Sequence, residues 1–396
     1  PPNILFLFSD DHAPEAISAY GPSLVETPNI DRIAEKGIVF RNCFCVNSLC
    51  TPSRAAILSG TYSAVNGVRV IGNSFDGSQE TFPKFLQNAG YQTALLGNWH
   101  LYAEPTGFDY YHIVKGLGAY YNPRIKSRED TRTDGQGKHR IEGYFTDIIT
   151  DMTIDWLENR DPSKPFCLLV HHKAPHTPYK HPAAYDSILE GRVLPEPKNF
   201  DDDFRGRNPV LANDSCGWSK LQYIKTGHFH NPIPGNLVLG TQEYKEWALQ
   251  KVLKGYHRLV ASMDENIGRL LDYMEDEGLD RNTIVRYSSD NGFFLGEHGL
   301  FNKQWMYEES IRIPMIIRIP GRNYRGKMAG ELVSELDLAP TLLDYAGAEI
   351  PAGFQGSSLK PLIEGRAGDR WRKSFFYHYY GQFDVPEHWG IRTEEY

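Results

Sequence analysis

The sequence predicts an α/β fold: a large mixed, mostly parallel sheet flanked by helices, with a smaller C-terminal antiparallel sheet region. Three observations carry this. Short continuous apolar runs, such as Ile4-Leu5-Phe6-Leu7-Phe8, alternate with segments of helical periodicity. Helix-start signals recur between them, at Thr27-Pro28, Thr51-Pro52 and Thr81-Phe82-Pro83. Polar clusters stand just past the apolar runs, at the strand ends where open α/β sheets bind ligands.

Taken in order, residues 3–9 read as a buried parallel strand, followed by Asp10, Asp11 and His12. A helix opens at Thr27-Pro28 and stops at Gly37, and residues 37–44 form a second strand. Thr51 is a candidate N-cap, with Pro52 at the first helical position and Gly60 as the stop. Cys50 then sits at the helix N-terminus, where the dipole favours negative charge, and Arg54 lies one turn along. A helix from Thr81 to Gly90 leads to a strand over 91–96 and then Gly97-Asn98-Trp99-His100. Residues 101–143 read as a long loop broken by Pro105 and Pro123.

Tyr144, Ile148, Ile149, Met152, Trp156 and Leu157 mark one face of a helix. A strand over 166–170 leads to His171-His172-Lys173-Ala174-Pro175-His176, and 178–240 is irregular. A long helix runs from about Thr241 to Glu277. Strands follow over 283–288, ending at Asp290-Asn291-Gly292, and over 314–319; residues 336–345 form a helix. A last strand over 375–380 opens the smaller C-terminal region. The expected division is a main catalytic unit over 1–370 and, over 371–396, the start of a smaller subdomain that continues past Tyr396.

Composition narrows the function classes. The 396 residues are 40% hydrophobic and 23% charged, values of a water-soluble globular protein. Net charge is −8 with no basic run, which argues against nucleic-acid binding. No apolar run approaches the roughly 20 residues of a membrane span. Five cysteines, Cys43, Cys45, Cys50, Cys167 and Cys216, show neither disulfide nor zinc spacing.

Four clusters at strand ends fall on one edge of the predicted sheet: Asp10/Asp11, Asn98/His100, His172/Lys173/His176 and Asp290/Asn291. A lone Asp-Asp pair is commonly a solvated turn. Two sets, each ending a buried strand, form instead a hard oxygen donor set that suits Ca²⁺, or Mg²⁺ at shorter distances. His100, His176 and Lys303 offer bases, acids and a cation beside it.

The string Cys50-Thr51-Pro52-Ser53-Arg54, completed by Leu58 and Gly60, resembles the signature of the formylglycine-dependent sulfatases of the alkaline-phosphatase superfamily. Gly97-x-Trp99-His100, Ala174-Pro175-His176, Asp290-Asn291-Gly292 and Gly296-Glu297-His298-Gly299-Leu300-Phe301-x-Lys303 follow in the family's order. The resemblance implies that Cys50 is converted to formylglycine by a maturing enzyme. It implies that Asp10, Asp11, Asp290 and Asn291 bind Ca²⁺ (Mg²⁺ less well) with the modified Cys50. Arg54 would hold the formylglycine, and His100, His176 and Lys303 would contact the sulfate or leaving group.

In that chemistry one hydroxyl of the aldehyde hydrate attacks sulfur. Loss of a proton from the other, to His100, then releases sulfate. One position departs from the family: Asn98 stands where a lysine is usual, and Lys173 is the expected compensating cation.

Gly107-Phe108-Asp109-Tyr110, Tyr120-Tyr121-Asn122-Pro123 and Glu142-Gly143-Tyr144 are similar to bacterial N-acetylglucosamine-6-sulfatases. That implies exo-acting 6-O-desulfation of a host glycan of mucin or heparan type, in the periplasm or outside the cell. Tyr120, Tyr121, Asn122, His228 and His230, with Asn98 and Lys173, are the expected substrate-binding residues. Two rival readings are a phosphonate or phosphate ester hydrolase of the same superfamily and a catalytically impaired sulfoglycan-binding protein.

Overall fold

A computed structural model describes residues 1–130, 139–212, 219–225, 233–368 and 371–395. His228, His230 and Cys216 lie outside the described residues. In chain order the strands begin with β1 (Asn3–Asp10), β2 (Ile38–Phe44), β3 (Gln92–Asn98), β4 (Tyr110–Val114), β5 (Arg124–Ser127), β6 (His139–Arg140) and β7 (Phe166–Pro175). They continue with β8 (Thr283–Ser289), β9 (Phe294–Leu295), β10 (Phe301–Asn302), β11 (Met315–Arg318), β12 (Lys327–Ser334), β13 (Ser374–Tyr379) and β14 (His388–Thr393). The longer helices are α1 (Pro28–Lys36), α2 (Cys50–Ser59), α4 (Phe82–Asn88), α5 (Phe145–Asn159), α6 (Gln242–Asp276) and α8 (Leu338–Ala346). Single turns α3 (Ser63–Asn66), α7 (Glu308–Ile311) and α9 (Lys360–Ile363) lie among them.

One ten-stranded sheet has the order β12-β2-β11-β8-β1-β7-β3-β4-β5-β6. Its centre, β8-β1-β7-β3-β4, is parallel, and β11, β5 and β6 run antiparallel to their neighbours. Both faces are covered, which is why β1 reads as an unbroken apolar run. Ile4, Phe6 and Phe8 pack with Ile57, Leu58 and Leu342 from α2 and α8. Leu5 and Leu7 face the other way, toward Ile149 of α5 and Leu259 and Val260 of α6. The α6 stripe from Tyr256 to Met274 is buried as its spacing predicts. Burying each such side chain contributes about 1.5–3 kcal/mol. Thr241 caps α6, its hydroxyl accepting from the Tyr244 amide at 3.2 Å.

The structure departs from the sequence expectations in three places. Residues 101–143, read as a loop, contain β4, β5 and β6 and extend the sheet at one edge. These strands are short and mix buried with part-exposed residues, so they lack the continuous run that marks the centre. β12 carries no clear strand period in the sequence, because a register shift between Ala329 and Leu332 interrupts it. Helix α2 begins two residues earlier than expected: Leu49, and not Thr51, is the N-cap, and Cys50 is the first helical residue. Pro52 is tolerated there because the first turn needs no amide donor.

At the C-terminal end β13 and β14 form a separate antiparallel pair. Phe375 stacks on Phe44 at 5.0 Å, and the Tyr377 hydroxyl donates to the Gln304 carbonyl at 2.7 Å.

One buried clamp fixes α2 against the sheet. Ser53 Oγ lies 2.5 Å from both the Asp290 carbonyl oxygen and Glu335 Oε2. A hydroxyl has one proton, so both contacts are hydrogen bonds only when Glu335 carries a proton and donates it to Ser53. Burial pushes the Glu335 carboxyl well above the usual range, which favours that state. Glu335 Oε1 accepts from the Val46 amide at 2.9 Å. Glu335→Gln, which mimics the neutral acid, should therefore change unfolding free energy by less than about 1 kcal/mol. Glu335→Ala strands buried donors and should cost about 2–3 kcal/mol. Urea unfolding distinguishes the two, and equal losses would remove the neutral-acid assignment.

Candidate active site

Strands β8, β1, β7 and β3 are adjacent and parallel, so their carboxyl ends open on one edge. Asp10 ends β1, Asn98 ends β3, His176 follows β7, and Asp290 follows β8. The close approach of β3 and β7 there requires Gly97, whose φ is +104°; a Cβ would lie 2.0 Å from the His171 carbonyl oxygen. The first turn of α2 points into this edge and brings Cys50 and Arg54, both buried.

Arg54 is the hub of the site. Its Nη2 lies 3.2 Å from Asp10 Oδ2 and 3.0 Å from Asp290 Oδ2. Its Nη1 donates to the Asn98 carbonyl at 2.5 Å, and its guanidinium lies 5.1 Å from the centre of the Phe8 ring. Burial disfavours this charge, but Asp290 and Asp10 outweigh it and raise the arginine further. Lys303, placed by the turn after β10, donates to Asp11 Oδ1 and reaches Cys50 Sγ at 3.1 Å. Burial is again outweighed, here by Asp11 first and by Asp10 beside it, so Lys303 is a permanent cation.

The carboxylates respond to the same field. Burial pushes Asp290 up, reinforced by Asp10, to about 7. For Asp10 the burial cost is exceeded by His176, Arg54 and Lys303, which hold it below the usual carboxylate range. Burial lowers His100 to about 3 and His176 to about 4, so both imidazoles are neutral near pH 7. Burial pushes the Cys50 thiol well up, with Asp10 adding to it, so Cys50 is a thiol and not a thiolate.

A cation fits the group. Ligand atoms of Asp10, Asp11, Cys50 and His176 all lie within 4.8 Å of one another. His176, expected as a proton donor, thus joins the donor group, its Nε2 3.5 Å from Asp11 Oδ2. Asp290 stands alongside, accepting from Arg54 and from the Asp11 and Asn291 amides at 3.1 and 3.0 Å. The Asn291 amide nitrogen donates to Asp11 Oδ1 at 2.7 Å, while its buried Oδ1 has no partner. With Asp290 ionised, the three carboxylates outnumber the two cations by one negative charge, a state that a bound cation would favour over protonation of Asp290, and the unpartnered Asn291 amide oxygen adds a further donor atom.

The expected substrate contacts separate into distinct positions. Asn98 is buried; its amide donates to Asp10 Oδ2 at 2.6 Å, so it orients a carboxylate, and its own Oδ1 is unpartnered. Lys173 is buried on β7, its Nζ 5.1 Å from the centre of the Tyr120 ring and 3.3 Å from the Thr177 carbonyl. Burial lowers it to about 8, with Asp10 and Asp11 opposing the drop.

Tyr120 is 2% exposed and donates its hydroxyl to the His176 carbonyl at 2.6 Å. It lies beneath the site and has no free face for a sugar. Asn122 closes a turn, accepting from the Gly143 amide at 2.9 Å, so its role is likewise in the backbone. Tyr121 is 42% exposed and is the member of the three with an open ring face.

Two neighbours of the site lie outside the sequence clusters. Glu335 gave no signal because its contact is 282 residues away in sequence. Tyr102, whose hydroxyl is 3.4 Å from His100 Nε2, was legible as the aromatic two positions after His100.

Comparison with known proteins agrees with this arrangement. A family model described as Sulfatase matches residues 2–348. An N-acetylglucosamine-6-O-sulfatase of Bacteroides thetaiotaomicron is 42% identical over 100% of this chain and 77% of its own length. An arylsulfatase of Clostridium perfringens is 30% identical over 94% of this chain and 80% of its own length. A solved structure of a protein in complex with its substrate D-glucosamine-2-N,6-O-disulfate superposes with a TM-score of 0.90 at 40% identity, covering 99% of this chain and 87% of that one. A cysteine at a helix start, an arginine bridging two buried carboxylates and a likeness spanning the whole chain point the same way: this chain belongs to the sulfatase family.

Proposed function

We propose that this protein removes the 6-O-sulfate of N-acetylglucosamine or a related glucosamine at the end of a glycan, in mucin or heparan-type chains. The observation that carries this reading is the whole-length 42% identity to an N-acetylglucosamine-6-O-sulfatase. The buried Cys50, Arg54, Asp10, Asp11 and Lys303 constellation supplies the matching chemistry.

Cys50 is the residue converted to formylglycine. It is 0% exposed, so a maturing enzyme must act before the chain folds. The hydrated aldehyde supplies one hydroxyl as nucleophile and a second whose loss of a proton allows sulfate to leave. Asp10, Asp11, Asp290 and Asn291, with His176 beside them, would hold a divalent cation that supplies positive charge at the sulfuryl oxygens. Ca²⁺ suits this dry, carboxylate-rich cage better than Mg²⁺, which keeps several waters.

The remaining steps belong to the side chains. Arg54 fixes the nucleophile end of α2 and compensates charge. Neutral His100 is available to take a proton. Lys303 is a permanent cation at the sulfate position, and His176 takes up the proton that the attacking hydroxyl releases and passes it to the leaving oxygen. Lys173 takes the place of the cation absent at Asn98. The same reading has the enzyme meet its glycan in the periplasm or outside the cell. Among the described residues no helix is long and apolar enough to cross a membrane.

Sulfate release from N-acetylglucosamine-6-sulfate, measured against other sulfated monosaccharides and a phosphate diester, tests the proposal. A higher kcat/KM on the phosphate diester would favour the ester-hydrolase alternative, and binding without turnover by aldehyde-containing enzyme would favour the binding-protein alternative. Chelation by EGTA should abolish activity, and Ca²⁺ should restore it; full activity after chelation, with metal content measured as zero, removes the cation from the mechanism. Lys173→Ala should lower kcat/KM by about 100-fold, the scale of losing one charge-stabilising donor. An unchanged value would mean that Asn98 needs no compensation.

A further inference from the structure

A cleft of about 480 Å³ opens beside His100, between the loop after β3 and the edge strands β4 and β5. Its volume falls within the roughly 300–1,000 Å³ of small-molecule sites. Trp99, Ile113 and Val114 give it an apolar floor, and Tyr102, Glu104 and Lys126 form its rim. None of these rim residues belongs to the cation group or to the Arg54 hub.

The rim is built and rigid. The Trp99 indole donates to the Ala103 carbonyl at 2.7 Å. The Leu101 carbonyl accepts from the Phe75 amide at 3.0 Å, and the Tyr102 carbonyl accepts from Ser74 at 3.0 Å. The Tyr102 backbone is held by these bonds; the residue is 46% exposed, with its ring centred 5.6 Å from the His100 ring. Glu104 is held at both oxygens: Oε1 accepts from Lys126 Nζ, and Oε2 accepts from the Tyr111 hydroxyl at 2.9 Å. Yet its side chain remains 59% exposed, while that of Lys126 is 11% exposed.

We propose that this cleft binds the pyranose ring that carries the sulfate, with Tyr102 as its stacking face and Glu104 as the acceptor for two neighbouring ring hydroxyls. The assignment rests on the sugar-sulfatase reading. Each carboxylate oxygen has a second lone-pair direction left after its internal bond. A carboxylate so oriented accepts from hydroxyls with little ordering cost, because its rotamer is already fixed. Lys126, alongside, offers its remaining protons to the hydroxyl oxygens. An adjacent donor and acceptor suit a neutral diol, and the Glu104 charge opposes a second anionic substituent at this point. Tyr102 and the apolar floor suit the C–H faces of a sugar.

The test uses aldehyde-containing enzyme with N-acetylglucosamine-6-sulfate and its 3-deoxy and 4-deoxy analogues. Wild-type kcat/KM should fall about tenfold or more on at least one deoxy analogue, the cost of roughly one hydrogen bond. Glu104→Ala should lose activity on the parent sugar, mainly through KM, and should no longer distinguish it from that analogue. Tyr102→Phe should keep KM within about twofold, whereas Tyr102→Ala should raise it about fivefold or more. A wild-type enzyme that treats all three sugars alike overturns the assignment, as does a Glu104→Ala enzyme that still discriminates as wild type does. Absence of turnover on every sugar sulfate, with turnover of another ester class, would instead sink the functional reading and this assignment with it.

Discussion

The structure depends on one buried cation. Arg54 is 2% exposed and is held between Asp10 and Asp290, which end two neighbouring strands. Removing one partner from such a buried pair leaves an uncompensated charge and costs about 3–5 kcal/mol. Arg54 also takes the carbonyl of Asn98, at the end of a third strand. One side chain thus gathers β1, β3 and β8 onto the start of α2. Because Cys50 is four residues earlier on the same helix, anchoring Arg54 fixes the position of the thiol as well.

This arrangement explains how so many charged side chains stay buried in one place. Charges buried at a sheet edge persist only with partners, and each carboxylate here has at least one. The neutral clamp of Ser53 and Glu335 does the same work without charge, holding α2 to the Asp290 backbone from below. Two kinds of anchor, one ionic and one neutral, therefore meet at Asp290. The residue that ends β8 is a support for the nucleophile before it is anything else.

Much of this was legible in the sequence because the central strands are covered on both faces. A run such as residues 4–8 announces its own burial, and the polar residues that follow must lie at its end. The clusters at Asp10, Asn98, His176 and Asp290 could be placed on one edge from that alone. The edge strands were not legible, since β4 and β5 are only four or five residues long and mix buried with part-exposed positions. Their invisibility concealed the cleft, whose Glu104 and Lys126 meet only when the loop after β3 folds back on β5. Tyr120 and Asn122 were misplaced for a related reason. An aromatic or amide in a loop looks available until its hydroxyl or oxygen is seen bonded to backbone, as both are.

Asn98 ties the site's charge balance to its specificity. An amide at this position gives Asp10 a hydrogen bond without neutralising it, so three carboxylates face Arg54 and Lys303 alone. A lysine there would have completed the balance from within. Its absence strengthens the demand for a bound divalent cation and leaves the next positive charge on β7, at Lys173, under which Tyr120 lies. Burial already lowers that lysine to about 8, so its charge is held with little margin and would be drawn out most strongly by an incoming anion. On the proposed reading, one neutral residue at the end of β3 leaves the compensating charge to a lysine on the adjacent strand that is still mostly protonated near pH 7 and is held more firmly once an anion binds.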